Sequence, residues 1–360
     1  GVKKLAPMSI EKKNGIVCLD YADLASHTNL TDAISEAYGP DGLGVLVVKN
    51  VPGFQERRQK LLRLSREFAR LPNEKKAKVE DESTTYNFGW SHGKETLDGK
   101  NFDVFKGSYY NNPQYDQPTE DKELRSKYPA VYGNNIWPKE DLPELEPAFK
   151  DLGQLIVSVG KMIGHQCDQY VKKQFPNSEC PSMESIIEES RTCKARLLYY
   201  FPPDEFKKED IPEGIDWCTW HCDHGSLTGL CPALYLNAES GEEAANPDPN
   251  CGLYIRNRKG EEVRGLIPKD CLAFQIGQSA QVMSGGKLVA TPHGVKPPLE
   301  GNGVARCTFA VFMQPDLLVP MTVPKDETGA VQNTGVVQYE EGQNFGDFST
   351  ATVKMYYGTN

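Results

Sequence analysis

The apolar residues of this chain change their period as the sequence proceeds. Positions 16–20 read Ile-Val-Cys-Leu-Asp and positions 43–49 read Leu-Gly-Val-Leu-Val-Val-Lys. Both are short β-branched runs and predict strands, with a helix over 30–38 between them. From 54 to 71, Leu61, Leu64, Phe68 and Leu71 return at helical spacing, and Pro72 ends that helix. Over 84–140 the chain is aromatic, Gly- and Asn-rich, with weak periodicity. It predicts a long irregular segment of the kind that often lines sites. The strongest helical pattern covers 143–171. There Leu145, Phe149, Leu152, Ile156, Val159, Ile163 and Tyr170 form one stripe, suited to packing along a sheet.

After position 191 the pattern shortens. Apolar runs at 196–201, 227–236, 252–256, 271–276, 287–290 and 306–313 are separated by Gly, Pro and Asn. Many short strands at this spacing predict an all-β barrel or a double-sheet jelly roll. Residues 239–250 read as a polar, Pro-containing loop, and 345–357 as an amphipathic helix placed to cap the barrel. The expected organisation is an N-terminal module over 1–140, bracing helices over 141–190, a β core over 191–325, and a C-terminal segment with its capping helix over 326–360. All four are expected to form one structural unit.

Composition narrows the class. The chain has 360 residues, a formal net charge of −10 and a pI near 5.3. An acidic chain without a basic run excludes nucleic acid and anionic membrane surfaces as expected partners. Ten cysteines are scattered with no Cys-x-x-Cys pair. They read as reduced thiols in a cytoplasmic protein. No apolar stretch reaches signal-peptide or membrane-spanning length, and the residues before Met8 read as an added leader or a native start. The expected state is a monomer acting on a small molecule.

The candidate chemistry lies late in the chain. His221 and Asp223 stand two apart in Trp220-His221-Cys222-Asp223-His224-Gly225, and His293 follows in Thr291-Pro292-His293-Gly294. Two imidazoles and one carboxylate can hold one face of a non-haem Fe(II) and leave other positions open. Arg306 and Thr308 follow on one predicted strand and share a face. A buried arginine needs an anionic partner, which a co-substrate carboxylate can provide. A His-x-Asp pair alone is a weak signal. On spacing alone, His221 and His293 read equally well as core histidines and Arg306 as a surface residue.

Longer motifs favour the metal. His221-Cys222-Asp223-His224-Gly225-Ser226-Leu227-Thr228 resembles the His-x-Asp-His-Gly-x-Leu-Thr signature of the plant-type Fe(II)/2-oxoglutarate-dependent oxygenases, the isopenicillin N synthase-like group. Gly252-Leu253-Tyr254, Gln275-Ile276-Gly277-Gln278, Pro292-His293-Gly294-Val295 and Arg306-Cys307-Thr308 are similar to further steps of that family, as are 43–51 and 68–75 at the front. The likeness runs from about 16 to 357.

The resemblance implies a mainly β protein with helices: a double-stranded β-helix (jelly-roll) core braced by helices. It implies His221, Asp223 and His293 as the iron ligands and catalytic centre. Arg306 would clamp the far carboxylate of 2-oxoglutarate with a hydroxyl from Thr308, and Tyr200, or Tyr199, would touch the same carboxylate. Phe312 and Gln314 match substrate-facing positions. Trp90, Phe105, Lys106 and Tyr109 of the irregular segment are further candidates for the substrate pocket, with Lys106 pairing a substrate anion. The implied cofactor is Fe(II), with 2-oxoglutarate and O₂ as co-substrates and succinate and CO₂ as products.

The sequence also departs from the family pattern. Thr308 replaces Ser, Gln275 and Gln278 replace Asn and Asp, Phe201 interrupts a Tyr-Pro step, and the loops at 296–303 and near Glu243 are long. The outcome on the substrate is hydroxylation, desaturation or oxidative cyclisation. The narrowest expectation is a kainoid-type ring closure on an N-alkylated amino acid. Alternatives are a same-fold iron oxidase without 2-oxoglutarate, a zinc hydrolase on the same ligands, or a non-catalytic small-molecule sensor.

Overall fold

A computed structural model describes residues 10–96, 102–207, 216–298 and 300–357. The segment before Met8, residues 97–101 of the irregular stretch and Leu299 of the 296–303 loop lie outside the described residues.

Two sheets form the core. The larger runs in the order Lys12–Lys13, Ile16–Asp20, Val45–Lys49, Leu272–Ile276, Leu227–Leu230, Val304–Met313, Lys194–Tyr200, Lys106–Asn111 and Gly89–His92, with Leu234–Asn237 also paired to Val304–Met313. The smaller sheet runs Glu262–Arg264, Gly252–Arg256, His293–Lys296 and Cys218–His221. Neighbours are antiparallel except Ile16–Asp20 beside Val45–Lys49. This is the expected jelly-roll core, without barrel closure.

Alternation along the strands assigns the two faces of the large sheet. Cys307, Phe309 and Val311 are fully buried toward the helices Phe54–Ala69 and Leu145–Gln174, and Leu197, Tyr199 and Leu227 join them in the main apolar cluster. The helix stripe read from sequence is this contact: Leu145, Phe149, Leu152, Ile156, Val159 and Ile163 are all essentially inaccessible. Contact is tightest at Gly229, where an added Cβ would sit 2.2 Å from Ile156 Cγ2. The intervening positions Arg306, Thr308, Ala310 and Phe312 face the space between the sheets, together with Arg196, Leu198, Tyr200, Thr228 and Leu230.

Three expectations need correction. The stretch 84–140 is not wholly irregular: Gly89–His92 and Lys106–Asn111 extend the large sheet and Lys122–Lys127 is helical. Gly107 lets the indole of Trp90 cross its backbone, where a Cβ would lie 2.0 Å from Trp90 Cη2. Such Gly- and Ser-containing strands carry little β-pattern.

The run 227–236 is two strands, because Pro232 lacks an amide hydrogen for the ladder. Arg58 holds the break by donating from Nε to the Pro232 carbonyl and from Nη2 to the Ala233 carbonyl, each at 2.7 Å.

Residues 287–290 form no strand. Ser284 Oγ, Tyr38 O and Gln281 Oε1 accept from the amides of Leu288, Val289 and Ala290, so the segment is pinned by local groups in place of a ladder. The C-terminal helix Phe345–Tyr357 buries Phe345 and Phe348 in a second cluster with Tyr132, Val282, Met283 and Leu317.

Candidate metal centre and co-substrate cavity

The strand Cys218–His221 runs antiparallel to His293–Lys296, and His221 stands directly across from His293. Asp223 follows just past the strand end. The Nε2 atoms of His221 and His293 lie 3.5 and 3.7 Å from Asp223 Oδ1. One donor atom from each of the three residues falls within 4.8 Å of the others.

Asp223 Oδ2 is buried and has no hydrogen-bond partner among the described residues. Burial pushes the Asp223 carboxyl up, and the imidazoles of His293 and His221 more than reverse this, leaving it below its ordinary range. Burial pushes His293 down to about 4, with Asp223 opposing the shift. Burial thus favours the neutral imidazole at His293, whereas at His221 the neighbouring Cys218 and Asp223 outweigh burial and push the imidazole up. His221 Nδ1 approaches the Thr219 carbonyl at 2.7 Å and His293 Nδ1 the Thr291 carbonyl at 3.2 Å. These contacts leave both Nε2 atoms facing Asp223. Two nitrogens and an orphaned carboxylate oxygen fit a divalent iron.

The three residues open into a cavity of about 300 Å³ between the sheets. Its floor includes Arg306, which is 7% exposed. Arg306 pairs in register with Tyr200 on one side and Tyr235 on the other, and its Cζ lies 4.9 Å from the Tyr200 ring centre. Its Nε and Nη1 are buried with no hydrogen-bond partner among the described residues. The phenols of Tyr200 and Tyr235 meet the guanidinium in part, and a buried cation so incompletely paired is costly unless a ligand completes it.

Thr308 lines the same cavity, but its Oγ1 donates to the Cys231 carbonyl at 3.0 Å, so here it offers the cavity lone pairs only. Tyr200 lines the cavity. Tyr199 points to the opposite face and packs among core residues, its hydroxyl accepting from Arg70. The structure therefore separates the two tyrosines that sequence left open.

The remaining candidates divide. Phe312 lines the cavity. Gln314, two residues on, turns away and donates to the Thr192 carbonyl at 3.0 Å. Trp90 and Tyr109 lie on the helix side of the sheet against Phe68, with Tyr109 bonded to the Ile136 carbonyl. Phe105 packs behind Tyr200 in a cluster with Leu198 and Trp217. Lys106 is buried against Asp103, donates to the Trp217 carbonyl at 3.0 Å, and does not line the main cavity. Parity explains Trp90 and Tyr109, which share the helix-side face of their paired strands; Lys106 stands opposite Tyr200 and is taken up by Asp103, and the register of 84–140 could not be read from sequence.

The cation that does line the cavity on this side is Arg196. Its Nε donates to Ser108 Oγ at 2.9 Å and its Nη2 to Glu95 Oε2 at 3.1 Å. Sequence reading missed both Arg196 and Tyr235. Arg196 shares parity with Tyr200, a signal that was available. Tyr235 depends on cross-strand register and left none. His224 packs its ring near Phe345, and His165 pairs with Glu184 at 2.8 Å on the long helix.

Comparison with known proteins agrees with this architecture. Residues 16–140 match the family described as non-haem dioxygenase in morphine synthesis N-terminal. A full-length Neurospora crassa protein in complex with alpha-KG superposes with a TM-score of 0.62 at 18% identity, covering 94% of this chain and 97% of that one. A putative 2OG-Fe(II) oxygenase family protein from Caulobacter crescentus gives 0.67 at 19%, covering 96% and 100%. JOX2 in complex with 2OG, Fe and JA gives 0.59 at 18%, covering 94% and 84%. No curated protein matches the sequence.

The chain has the fold of the 2-oxoglutarate- and Fe(II)-dependent oxygenases, and its residues 16–140 match the model of the non-haem dioxygenase N-terminal region. The resemblance read from its motifs holds in fold, and one donor atom from each of the expected triad residues comes together as a group that could hold a metal ion. Among the described residues no helix is long and apolar enough to cross a membrane.

Proposed function

We propose that this protein is an Fe(II)- and 2-oxoglutarate-dependent dioxygenase that oxidises a small organic molecule. One observation carries the reading: Arg306 lines the cavity that also holds the His221, Asp223 and His293 donors, and its buried Nε and Nη1 have no hydrogen-bond partner among the described residues. A structural arginine would be paired. One that waits for a carboxylate beside an iron triad suits a dicarboxylate co-substrate.

In this reading His221, Asp223 and His293 hold the metal, and Arg306 with Tyr200 and Tyr235 fixes the far carboxylate. Bound Fe(II) with 2-oxoglutarate supplies O₂-dependent oxidative decarboxylation to succinate and CO₂, coupled to oxidation of a substrate C–H bond. The chain's own part is orientation and exclusion of water. Phe312, Leu198 and Val295 give apolar walls, and Arg196, held from behind by Glu95, gives one polar wall with a donor. Such a wall suits a substrate with a polar group on an otherwise apolar frame. The ring-closure reading relied on a free Lys106, and that ammonium is already matched by Asp103. We retain hydroxylation, desaturation and cyclisation as the outcomes open to this site.

The test is anaerobic addition of Fe(II) and 2-oxoglutarate. The wild type is expected to give a weak visible charge-transfer band that His221→Ala and Arg306→Ala both lose. Succinate release in air then screens substrates. A wild type with no band sinks the proposal and leaves the oxidase, zinc or sensor alternatives.

A further inference from the structure

Gln275 is the one polar residue of the strand Leu272–Ile276. It is wholly inaccessible, and neither its amide nitrogen nor its amide oxygen has a hydrogen-bond partner among the described residues. A primary amide held out of water with donor and acceptor both unmet is costly. An apolar side chain would suit the strand better unless the amide serves something nearby.

Register shows what is nearby. Gln275 stands between Thr228 on one neighbouring strand and Val45 on the other, and residues paired in this way share a face. Thr228 lines the cavity with Asp223, and its hydroxyl is one of the groups that hold the Asp223 carboxyl below its ordinary range. Gln275 therefore faces the space between the sheets, one strand behind Thr228. Just past its own strand end the Gln278 amide donates to the Asp223 carbonyl at 2.8 Å, and an added Cβ on Gly277 would lie 3.2 Å from the same oxygen.

The other flank leads to His293. Gly44 precedes Val45, and its carbonyl accepts from the Ile276 amide at 3.0 Å. Thr291 Oγ1 sits where a Cβ on Gly44 would be, and it too is buried with no partner among the described residues. The Thr291 carbonyl is the one that His293 Nδ1 approaches. Gln275 is thus flanked by Thr228, which reaches Asp223, and by the Gly44–Val45 backbone, against which Thr291 packs.

The carboxylate has a matching need. Both imidazole Nε2 atoms lie toward Asp223 Oδ1, whereas Oδ2 is buried and without a partner among the described residues. A metal on Oδ1 leaves Oδ2 in want of a donor, and ligating carboxylates are held by such outer donors. Gln275 Nε2 and the Thr291 hydroxyl are the unspent donors of this layer.

We propose that Gln275 is a positioning residue of the metal centre, its amide donating through one ordered water to the oxygen of Asp223 that the metal does not take. The proposal rests on the metal reading of the triad above. A buried water is held by several polar partners, and Gln275 Nε2 and Oε1, Thr291 Oγ1 and Asp223 Oδ2 are the unmet ones here. Fixing Oδ2 keeps the carboxylate turned so that Oδ1 faces the two imidazoles.

The experiment is an anaerobic competition titration of the metal-free full chain with Fe(II), and separately with Co(II), against a chelator, with urea unfolding of the metal-free chain alongside. Gln275→Met keeps the length of the side chain and removes both polar atoms. Its metal affinity is expected to fall about 10–100-fold, the range for groups behind metal ligands, and the visible bands of bound Co(II) should shift. Its metal-free stability should equal or exceed that of the wild type, because an unmet amide is gone. Should Gln275→Met fail to fold, Thr291→Val carries the test, with a loss of affinity again expected and wild-type affinity and bands overturning the inference. Metal binding by the wild type with unchanged affinity and bands in Gln275→Met overturns this inference alone, as does a loss of affinity accompanied by a destabilised metal-free chain, which marks an ordinary packing role. A wild type that binds neither ion overturns the metal reading and this inference together.

Discussion

Arg306 and Tyr200 are direct cross-strand partners, with the guanidinium carbon 4.9 Å from the phenol ring centre and two guanidinium nitrogens left without a partner among the described residues. The ring covers one face of a buried cation and leaves its edge to the cavity. Stability and binding should therefore respond to Arg306 with opposite signs. Replacing it by Met removes an incompletely paired buried charge, and the ligand-free protein should gain about 1–3 kcal/mol of unfolding free energy. 2-Oxoglutarate affinity should fall roughly 100-fold or more with the charge-assisted bonds gone. Urea unfolding and a titration of the charge-transfer band measure the two. A destabilised variant would mean that the guanidinium is paired in solution.

Asp223 should control metal affinity. Changes in groups behind metal ligands already cost roughly 10–100-fold in affinity, so Asp223→Ala should lose more than that. Iron content after dialysis against a weak chelator reads the loss, and retained stoichiometry would move the metal elsewhere.

Gly229 tests the helix–sheet contact. A methyl group there meets Ile156 Cγ2 at 2.2 Å. Gly229→Ala should cost about 1–3 kcal/mol by overpacking. Combined with Ile156→Ala, the double variant should lose less than the sum of the single losses, because the two sites share one volume. Additive losses in denaturant unfolding would show that the helix shifts freely over the sheet.

Lys194 predicts a pH dependence of stability. Its ammonium donates to the Asn87 carbonyl at 2.6 Å and the Ala130 carbonyl at 3.2 Å and lies 3.7 Å from the Phe88 ring centre. No carboxylate is within ion-pair distance among the described residues. Burial pushes it down to about 7. The unfolded chain, at about 10.4, holds the proton more tightly than the folded one, so stability should rise with pH from about 7 upward. The penalty is full below pH 7, where both states are protonated. Relative to Lys194→Met, the wild type should gain stability between pH 7 and 9. A flat difference over that range would count against an enclosed ammonium.

How far the sequence can be read depends on where side chains point. The helix 145–174 was legible because its stripe repeats over many turns. The proposed ligands His221, Asp223 and His293 could be picked out because they are close in sequence or carry motif context, and the fold brings their donor atoms together. Tyr200 was separated from Tyr199 only by the register with Arg306. Lys106 shares the face of its cross-strand partner Tyr200 but is engaged by Asp103 and the Trp217 carbonyl, contacts that a Gly- and aromatic-rich stretch with no period to count does not reveal. Tyr235 reaches the cavity through a pairing between distant strands, which single-sequence patterning does not encode.

The strand Val304–Met313 divides its work by parity: odd positions are wedged against helices, and even positions face an open chamber. A change at Ala310 or Phe312 therefore meets cavity space, while a change at Phe309 or Val311 meets close-packed neighbours. Substrate preference can drift through one set of residues while the other keeps the scaffold rigid, so a lineage carrying this strand can change what it oxidises without first having to rebuild how it folds.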